Sequence, residues 1–318
     1  MYKFLLSVVA VISAAPVFAE PIDKPLEFSF RGGVSASGSD YPYALASTGF
    51  VSVGSILTSD FGYGGFAAVA LTHDSLFGQF GGEIGLSYLQ VEGDEAYSID
   101  SGLGDCNLGS PGVFDVITLS HRECMDGADT DSKTTLTQMR AVLTHAYADS
   151  SLQVLAGLGY FDFSSNSTGQ MYYPGETSSQ QRNASFEGMG VVIGARKELD
   201  QPFGSYRLKL EGLAGAYWGD RDLRIVDEYV GINGFLDSSR GGTAYTIEVT
   251  ASFLKDTAWP GPESQFEWGA TYVHAFDVMD TANRNAVVID RFGAPAQSGS
   301  TKDDFGALSL FAGLKVRF

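Results

Sequence analysis

The sequence predicts an all-β protein, a transmembrane antiparallel β-barrel that occupies a single domain. Three observations carry this prediction. Segments of about ten residues alternate between apolar and polar side chains. Polar, glycine-rich breaks separate these segments, and the chain ends on an alternating segment that closes with Phe318. Strands that cross a membrane in a barrel need this alternation, because one face meets lipid and the other faces the lumen.

The first residues have the pattern of a secretory signal peptide. Lys3 precedes an apolar stretch, and Val17 and Ala19 are small residues at the two positions that a signal peptidase reads. We expect residues 1–19 to be cleaved and residues 20–318 to form the barrel. The alternative, a membrane anchor, is disfavoured because the apolar run is too short to span a bilayer.

Charge and composition exclude several classes of function. The net charge of −18 argues against nucleic acid as a partner, because its phosphates would be repelled. After the signal peptide no apolar run reaches about 18 residues, so the sequence predicts no transmembrane helix.

The two cysteines, Cys106 and Cys124, lie in one polar segment of an exported chain. This context predicts a disulfide. It would close a loop of about 17 residues and stabilise the fold by about 3 kcal/mol in the chain-entropy model. Zinc is the alternative, but only His121 lies nearby, so we expect no metal and no cofactor.

The last strand shows the alternation most clearly. One face has Leu308, Leu310, Ala312, Leu314, Val316 and Phe318, and the other has Ser309, Phe311, Gly313, Lys315 and Arg317. A terminal aromatic residue at the end of such a strand resembles the insertion signal of outer-membrane barrels. We therefore expect Phe318 to be read by the barrel assembly machinery. Similar apolar stripes begin at Leu26, Phe80, Leu152, Met189, Tyr206, Tyr245 and Phe266.

Aromatic residues at many strand ends favour a lipid-embedded barrel over a soluble sandwich. The connections alternate between short and long. We expect long, acidic external loops near residues 93–133, 164–183, 219–242 and 277–304, and short periplasmic turns between them. About eleven strands are clear, and closure with both termini at one rim requires an even number. We expect about twelve, with ten and fourteen as alternatives, and place the missing strand at Val113–Leu119 or within residues 37–58.

The polar faces of the strands place a mixed set of charges inside the barrel. The predicted lumen-lining residues are Arg31, Glu83, Arg140, Arg196, Arg207, Lys209, Glu211, Glu248, Glu267 and Lys315. Glu27, Glu187 and Arg317 have the same pattern. Such charges would set the selectivity of an open pore, or pair across a narrow lumen and fill it.

The four histidines test an enzymatic interpretation, since an outer-membrane hydrolase needs a histidine beside an acid or a serine. His73 precedes Asp74 and is the first candidate. His145 and His274 fall on lipid-facing aromatic stripes. No catalytic residue is assigned, and a hydrolase remains an alternative.

One stretch goes further than a generic barrel. Phe186 to Arg196 is followed by a turn and then by Tyr206 to Trp218, and Leu155 to Phe163 lies upstream. From about residue 136 to 318 these glycine and aromatic patterns resemble the Legionella-type major outer-membrane-protein-like family of pore-forming barrels. The resemblance implies pore formation and no catalytic residues.

Together these patterns predict a barrel in the outer membrane of a Gram-negative bacterium, in contact with lipid and lipopolysaccharide. The favoured function is a pore for passive diffusion of small hydrophilic solutes or ions. A closed-lumen structural or adhesive barrel that acts through its acidic loops is the first alternative. The sequence specifies neither the solute nor the oligomeric state.

Overall fold

The computed structural model describes most of the chain after the first 25 residues. The described ranges are 26–38, 42–47, 55–58, 61–77, 79–98, 107–109, 127–147, 151–173, 176–229, 232–259, 263–282 and 300–318. Within them no helix is long and apolar enough to cross a membrane. The expected signal peptide and both cysteines lie outside the described residues, so the cleavage and the disulfide stay predictions.

The described residues form thirteen strands. Ten of them close into an antiparallel barrel: β1 (Leu26–Gly38), β4 (Phe61–Phe77), β5 (Phe80–Ser98), β7 (Gly127–Ala146), β8 (Leu152–Tyr173), β9 (Glu176–Phe203), β10 (Tyr206–Tyr229), β11 (Ile232–Thr257), β12 (Ser264–Ala282) and β13 (Ser300–Arg317). Three short strands, β2 (Pro42–Ser47), β3 (Ser55–Thr58) and β6 (Asn107–Gly109), form a small separate sheet.

The first and last strands close the ring. β1 pairs with β13 from Glu27 opposite Arg317 to Gly38 opposite Gly306, and its other edge pairs with β4. The all-β barrel fold is thereby confirmed. Its ten strands are one of the numbers that the sequence allowed, rather than the favoured twelve. Residues 42–47 and 55–58 pair with each other outside the barrel, and Val113–Leu119 lies outside the described residues.

One rim of the barrel carries short connections. β9 and β10 are joined by a two-residue turn in which Gly204 has φ +70°, a conformation that glycine adopts without steric cost. The chain also begins β1 and ends β13 at this rim, where the Phe318 N–H donates to the Leu26 carbonyl at 3.0 Å. This rim is the expected periplasmic side.

The half of the barrel next to this rim has an apolar exterior. Along β9, Met189, Val191 and Ile193 point outward and are 63%, 45% and 60% exposed. Leu158, Val249 and Leu310 are similarly exposed on other strands. Side chains of this kind fit a band in contact with lipid. The faces that alternation predicted for these strands are confirmed.

The far half of the barrel has the opposite polarity. Here Phe161, Phe186 and Leu223 are buried inside, while Asn183 and Asp222 are exposed outside. The expectation of long loops at 164–183 and 219–242 is wrong, because β8 to β11 continue through these segments in register. Since about 9–11 residues cross a membrane core, more than half of the 28 residues of β9 lie beyond the apolar band.

The change of polarity along β9 predicts different tolerance to charge. Ile193→Arg would place a charge in the apolar band and should destabilise the folded barrel in lipid vesicles by about 2–4 kcal/mol. Asn183→Arg, also outward on β9, should change the free energy of unfolding by less than about 0.5 kcal/mol. Urea unfolding in vesicles measures both, and equal effects would contradict the assigned boundary.

Candidate functional site

The lumen of the apolar-banded half contains a compact network of charges. Arg140 on β7 and Arg196 on β9 each contact both Glu83 on β5 and Glu211 on β10. The distances from Arg196 to the two carboxylates are 2.6 Å, and those from Arg140 are 2.8 and 3.2 Å. Each carboxylate is therefore shared by two guanidinium groups. Charges this deeply buried are stable only when paired and hydrogen-bonded in this way.

Two further groups extend the network. The Lys209 ammonium lies 3.3 Å from Glu211, and one Arg140 nitrogen lies 3.8 Å from Glu248 on β11. β7 and β11 are four positions apart in the ten-strand ring, so this contact spans most of the lumen.

A second pair lies beside this network. Arg31 on β1 donates from two nitrogens to both oxygens of Glu267 on β12, each at 3.0 Å. Ser252 donates to the same carboxylate at 2.7 Å, and the guanidinium lies 5.0 Å from the centre of the Phe311 ring. A bidentate pair of this geometry is fixed more rigidly than a single contact.

The short-turn rim has a looser set of pairs. Arg207 contacts Asp256 at 2.8 Å and Glu198 at 3.5 Å, and Lys315 lies 3.7 Å from Glu27. Arg317 donates to Glu27 at 3.0 Å. All ten lumen-lining residues predicted from the sequence thus have inward positions on their strands.

One charged residue expected inside the barrel lies outside it. Glu187 is exposed on the outside of β9, where it accepts a hydrogen bond from Tyr160 at 3.0 Å, because its register places it on the face of Met189. Sequence reasoning also missed Glu198 and Asp256. Their alternation with Arg196 and Leu254 would have identified them as inward positions on β9 and β11.

An apolar layer of side chains crosses the lumen beyond the charges. Phe163 on β8 and Phe305 on β13 lie five strands apart in both directions around the ring, and their ring centres are 5.4 Å apart. The centre of the Phe161 ring lies 5.9 Å from that of Phe186 and 5.2 Å from that of Tyr217. We call these five aromatic residues, with the buried Leu223, Val278 and Met279, the plug.

Small side chains leave a narrow cavity beside the charges. The inward residues of β4 and β5 at this level include Ala68, Ala70 and Gly85, and a cavity of about 60 Å³ lies against them. Its lining extends from Glu27 and Lys315 near the rim, past Arg140 and Glu248, to Tyr217 of the plug. A cavity of this volume has room for a few water molecules.

The histidines in the described ranges lie near the ends of strands and on the outer face of the barrel. His73 is buried at the short-turn rim, where its Nδ1 accepts from the Ser75 backbone N–H. The His145 ring is tilted against Phe80 and edge-on to Tyr147, and His274 lies 3.6 Å from Asp304 on the outer surface. Among the described residues no group of three His, Cys, Asp or Glu side chains has the geometry of a metal site.

Comparisons with known proteins find similar folds and no family. No protein-family model and no curated protein match the sequence. The outer membrane protease OmpT from Escherichia coli is 11% identical, with a TM-score of 0.47 over 95% of this chain and 99% of that one. The translocator domain of autotransporter NalP from Neisseria meningitidis is 9% identical, with a TM-score of 0.37 over 99% and 95%.

A major outer membrane protein from Thermus thermophilus is 13% identical, with a TM-score of 0.31 over 92% of this chain and 99% of that one. The OmpT and Thermus thermophilus structures are both of outer membrane proteins. At these identities the likeness concerns the barrel fold alone.

The charge network predicts that one carboxylate has a large effect on stability. Glu211→Gln would leave Arg140, Arg196 and Lys209 buried beside a neutral side chain. It should lower the free energy of unfolding by about 3–5 kcal/mol. Urea unfolding, followed by the mobility of unheated samples on gels, measures this change.

The matched control is Glu198→Gln at the rim, where the pair with Arg207 is partly exposed. It should cost less than about 1 kcal/mol. If the two substitutions had the same effect, the Glu211 network would have no special role in stability.

Proposed function

We propose that this chain is an outer-membrane barrel with a closed lumen that presents a rigid β-structure outside the cell. The contact between Phe163 and Phe305 is the observation that carries the proposal. The two rings meet from opposite walls, so the aromatic layer spans the lumen at this level of the barrel. Of the functions that the sequence left open, the geometry favours the structural or adhesive barrel over the diffusion pore.

The charged layer supports the same conclusion from different chemistry. In a selective pore, charged side chains line water and remain available to a passing solute. Here Glu83 and Glu211 are 4% and 3% exposed and are bridged by Arg140 and Arg196, whose strands lie between theirs in the ring. Their oxygens are therefore engaged by protein rather than by water.

The part of the barrel beyond the apolar band supports a role in presentation. Its interior is packed with apolar residues, and its exterior has Asn, Ser, Gln and Asp side chains, which is the arrangement of a water-soluble β-barrel. On the outer face of β5 and β7, Lys133 donates to Glu92 at 2.8 Å, and this hydrogen bond lowers the pKa of the Glu92 carboxyl. A rigid polar wall of this kind suits contact with other surface molecules.

The partners follow from the two exterior zones. The apolar band would contact lipid, and the polar residues directly beyond it, such as Asp162 and Asp220, would lie among the sugars and phosphates of lipopolysaccharide. The barrel assembly machinery would receive the chain through β13 and Phe318.

A closed lumen predicts that the protein does not conduct ions across a bilayer. Purified, refolded protein in a planar bilayer with potassium chloride should give no stepwise conductance, while its faster gel mobility before heating shows that the barrel is folded. Regular conductance steps from the unaltered chain would overturn the closed lumen and restore the pore for small hydrophilic solutes.

Trimming the plug provides the positive control. Phe163→Ala combined with Phe305→Ala removes the contact across the lumen and should produce conductance steps. Phe30→Ala removes an outward ring that is 48% exposed, and it should stay silent.

A separate prediction concerns assembly. Deleting Phe318 removes the backbone N–H that pairs with the Leu26 carbonyl and the terminal aromatic ring. We expect the amount of folded protein in the outer membrane to fall severalfold, measured by surface labelling of intact cells. The matched control, Phe318→Tyr, keeps both features and should assemble normally. Normal surface levels without Phe318 would contradict its role as a signal.

A further inference from the structure

The polar half of β12 contains an unusual bulge. β12 pairs regularly with β13 as far as Ala275 opposite Phe305, and pairing resumes at Met279 opposite Asp303. Three residues of β12 thus oppose the single residue Asp304. Asp277 has φ +58°, in the left-handed region that residues with side chains rarely adopt.

The bulge changes which side chains face the lumen. Val278 and Met279 are consecutive, yet both are buried, at 0% and 5% exposure. Regular alternation would send one of them outward. The bulge therefore adds an apolar side chain to the plug, next to Phe305.

A buried arginine holds the bulge from inside. Arg221 on β10 is 2% exposed, and its Nη2 donates to the backbone carbonyls of Asp277 and Thr243, the latter at 3.0 Å. Its guanidinium lies 5.7 Å from the centre of the Phe186 ring. A Cβ on Gly242 would lie 2.8 Å from an Arg221 nitrogen, so glycine at this position leaves room for the guanidinium.

A carboxylate holds the same residue from outside. The Asp277 N–H donates to Asp304 at 2.9 Å. The other oxygen of Asp304 lies 3.6 Å from His274, whose second ring nitrogen is 2.9 Å from the Tyr272 hydroxyl. The backbone of Asp277 is thus hydrogen-bonded on both sides of the barrel wall. Its carbonyl accepts from Arg221 inside, and its N–H donates to Asp304 outside.

We propose that the bulge is a gate and that Arg221 and Asp304 latch it shut. While Asp277 is held in its left-handed conformation, Val278 and Met279 complete the plug. When either contact is lost, β12 relaxes toward regular pairing and one of these side chains turns outward. The plug then opens onto the cavity and the charged layer, and small ions cross the barrel. The gate rests on the closed lumen proposed above and gives that lumen a second, conducting state.

The test compares latch variants with the unaltered chain in planar bilayers containing potassium chloride. Arg221→Met keeps much of the side-chain volume and removes both carbonyl contacts. Asp304→Ala removes the outer contact at a half-exposed position that a folded barrel tolerates. Each variant should shift the equilibrium between the closed and the conducting state toward conduction by roughly 10- to 100-fold, the change expected for loss of a charge-assisted hydrogen bond, and should therefore show conductance steps where the unaltered chain shows none.

The matched control is Arg224→Met, an exposed arginine three residues further along β10, which should stay silent. Silent latch variants, beside a conducting variant with Phe163 and Phe305 both replaced by alanine, would overturn the gate and leave the closed lumen intact. Conductance from the unaltered chain would overturn the closed lumen itself. If Arg221→Met does not fold, Asp304→Ala decides alone.

Discussion

Closure of the sheet between β1 and β13 is the constraint on which the rest of the structure depends. A strand edge in lipid would leave backbone N–H and C=O groups without partners, at a cost of several kcal/mol each, so a membrane sheet has to close. Here β1 satisfies one edge with β13 and the other with β4. The circle of ten strands fixes the width of the lumen, and the width decides which side chains reach one another.

In a ring of this width, inward side chains from opposite sides of the barrel meet. Arg140 reaches Glu248 four strands away, and Phe163 reaches Phe305 on the opposite wall. In a wider barrel the same side chains would stand apart and line water. The identity of the inward residues alone therefore could not decide between a pore and a packed interior. That decision needed the strand number, which the sequence left between ten and fourteen.

What the sequence could predict depended on the polarity of the strand exterior. Apolar outward positions such as Ile193 and Leu310 made the membrane half easy to recognise, and the ten residues named as lining the lumen have inward positions. The far half was mistaken for loops because its outward residues are polar and its inward ones apolar, the reverse of the expected alternation. Glu187 was misplaced for the same reason, since it lies one residue pair beyond the apolar band. The bulge at Asp277 has no local signature, because no glycine or proline marks it. The resemblance to the Legionella-type family stays a prediction.

The two halves of the barrel solve opposite solvation problems with one continuous set of strands. Where the exterior is lipid, the polar residues turn inward and neutralise one another. Where the exterior is water, the apolar residues turn inward and pack.

Arg221 is the exception, since it is a charge inside the apolar core. A buried guanidinium needs acceptors for its donors, and here the backbone carbonyls of Thr243 and Asp277 supply them for Nη2. Asp277 lies outside the regular β12–β13 pairing, and its carbonyl accepts a hydrogen bond from Arg221. The buried arginine and the bulge would each cost stability alone, but each satisfies the other. They therefore form one structural unit.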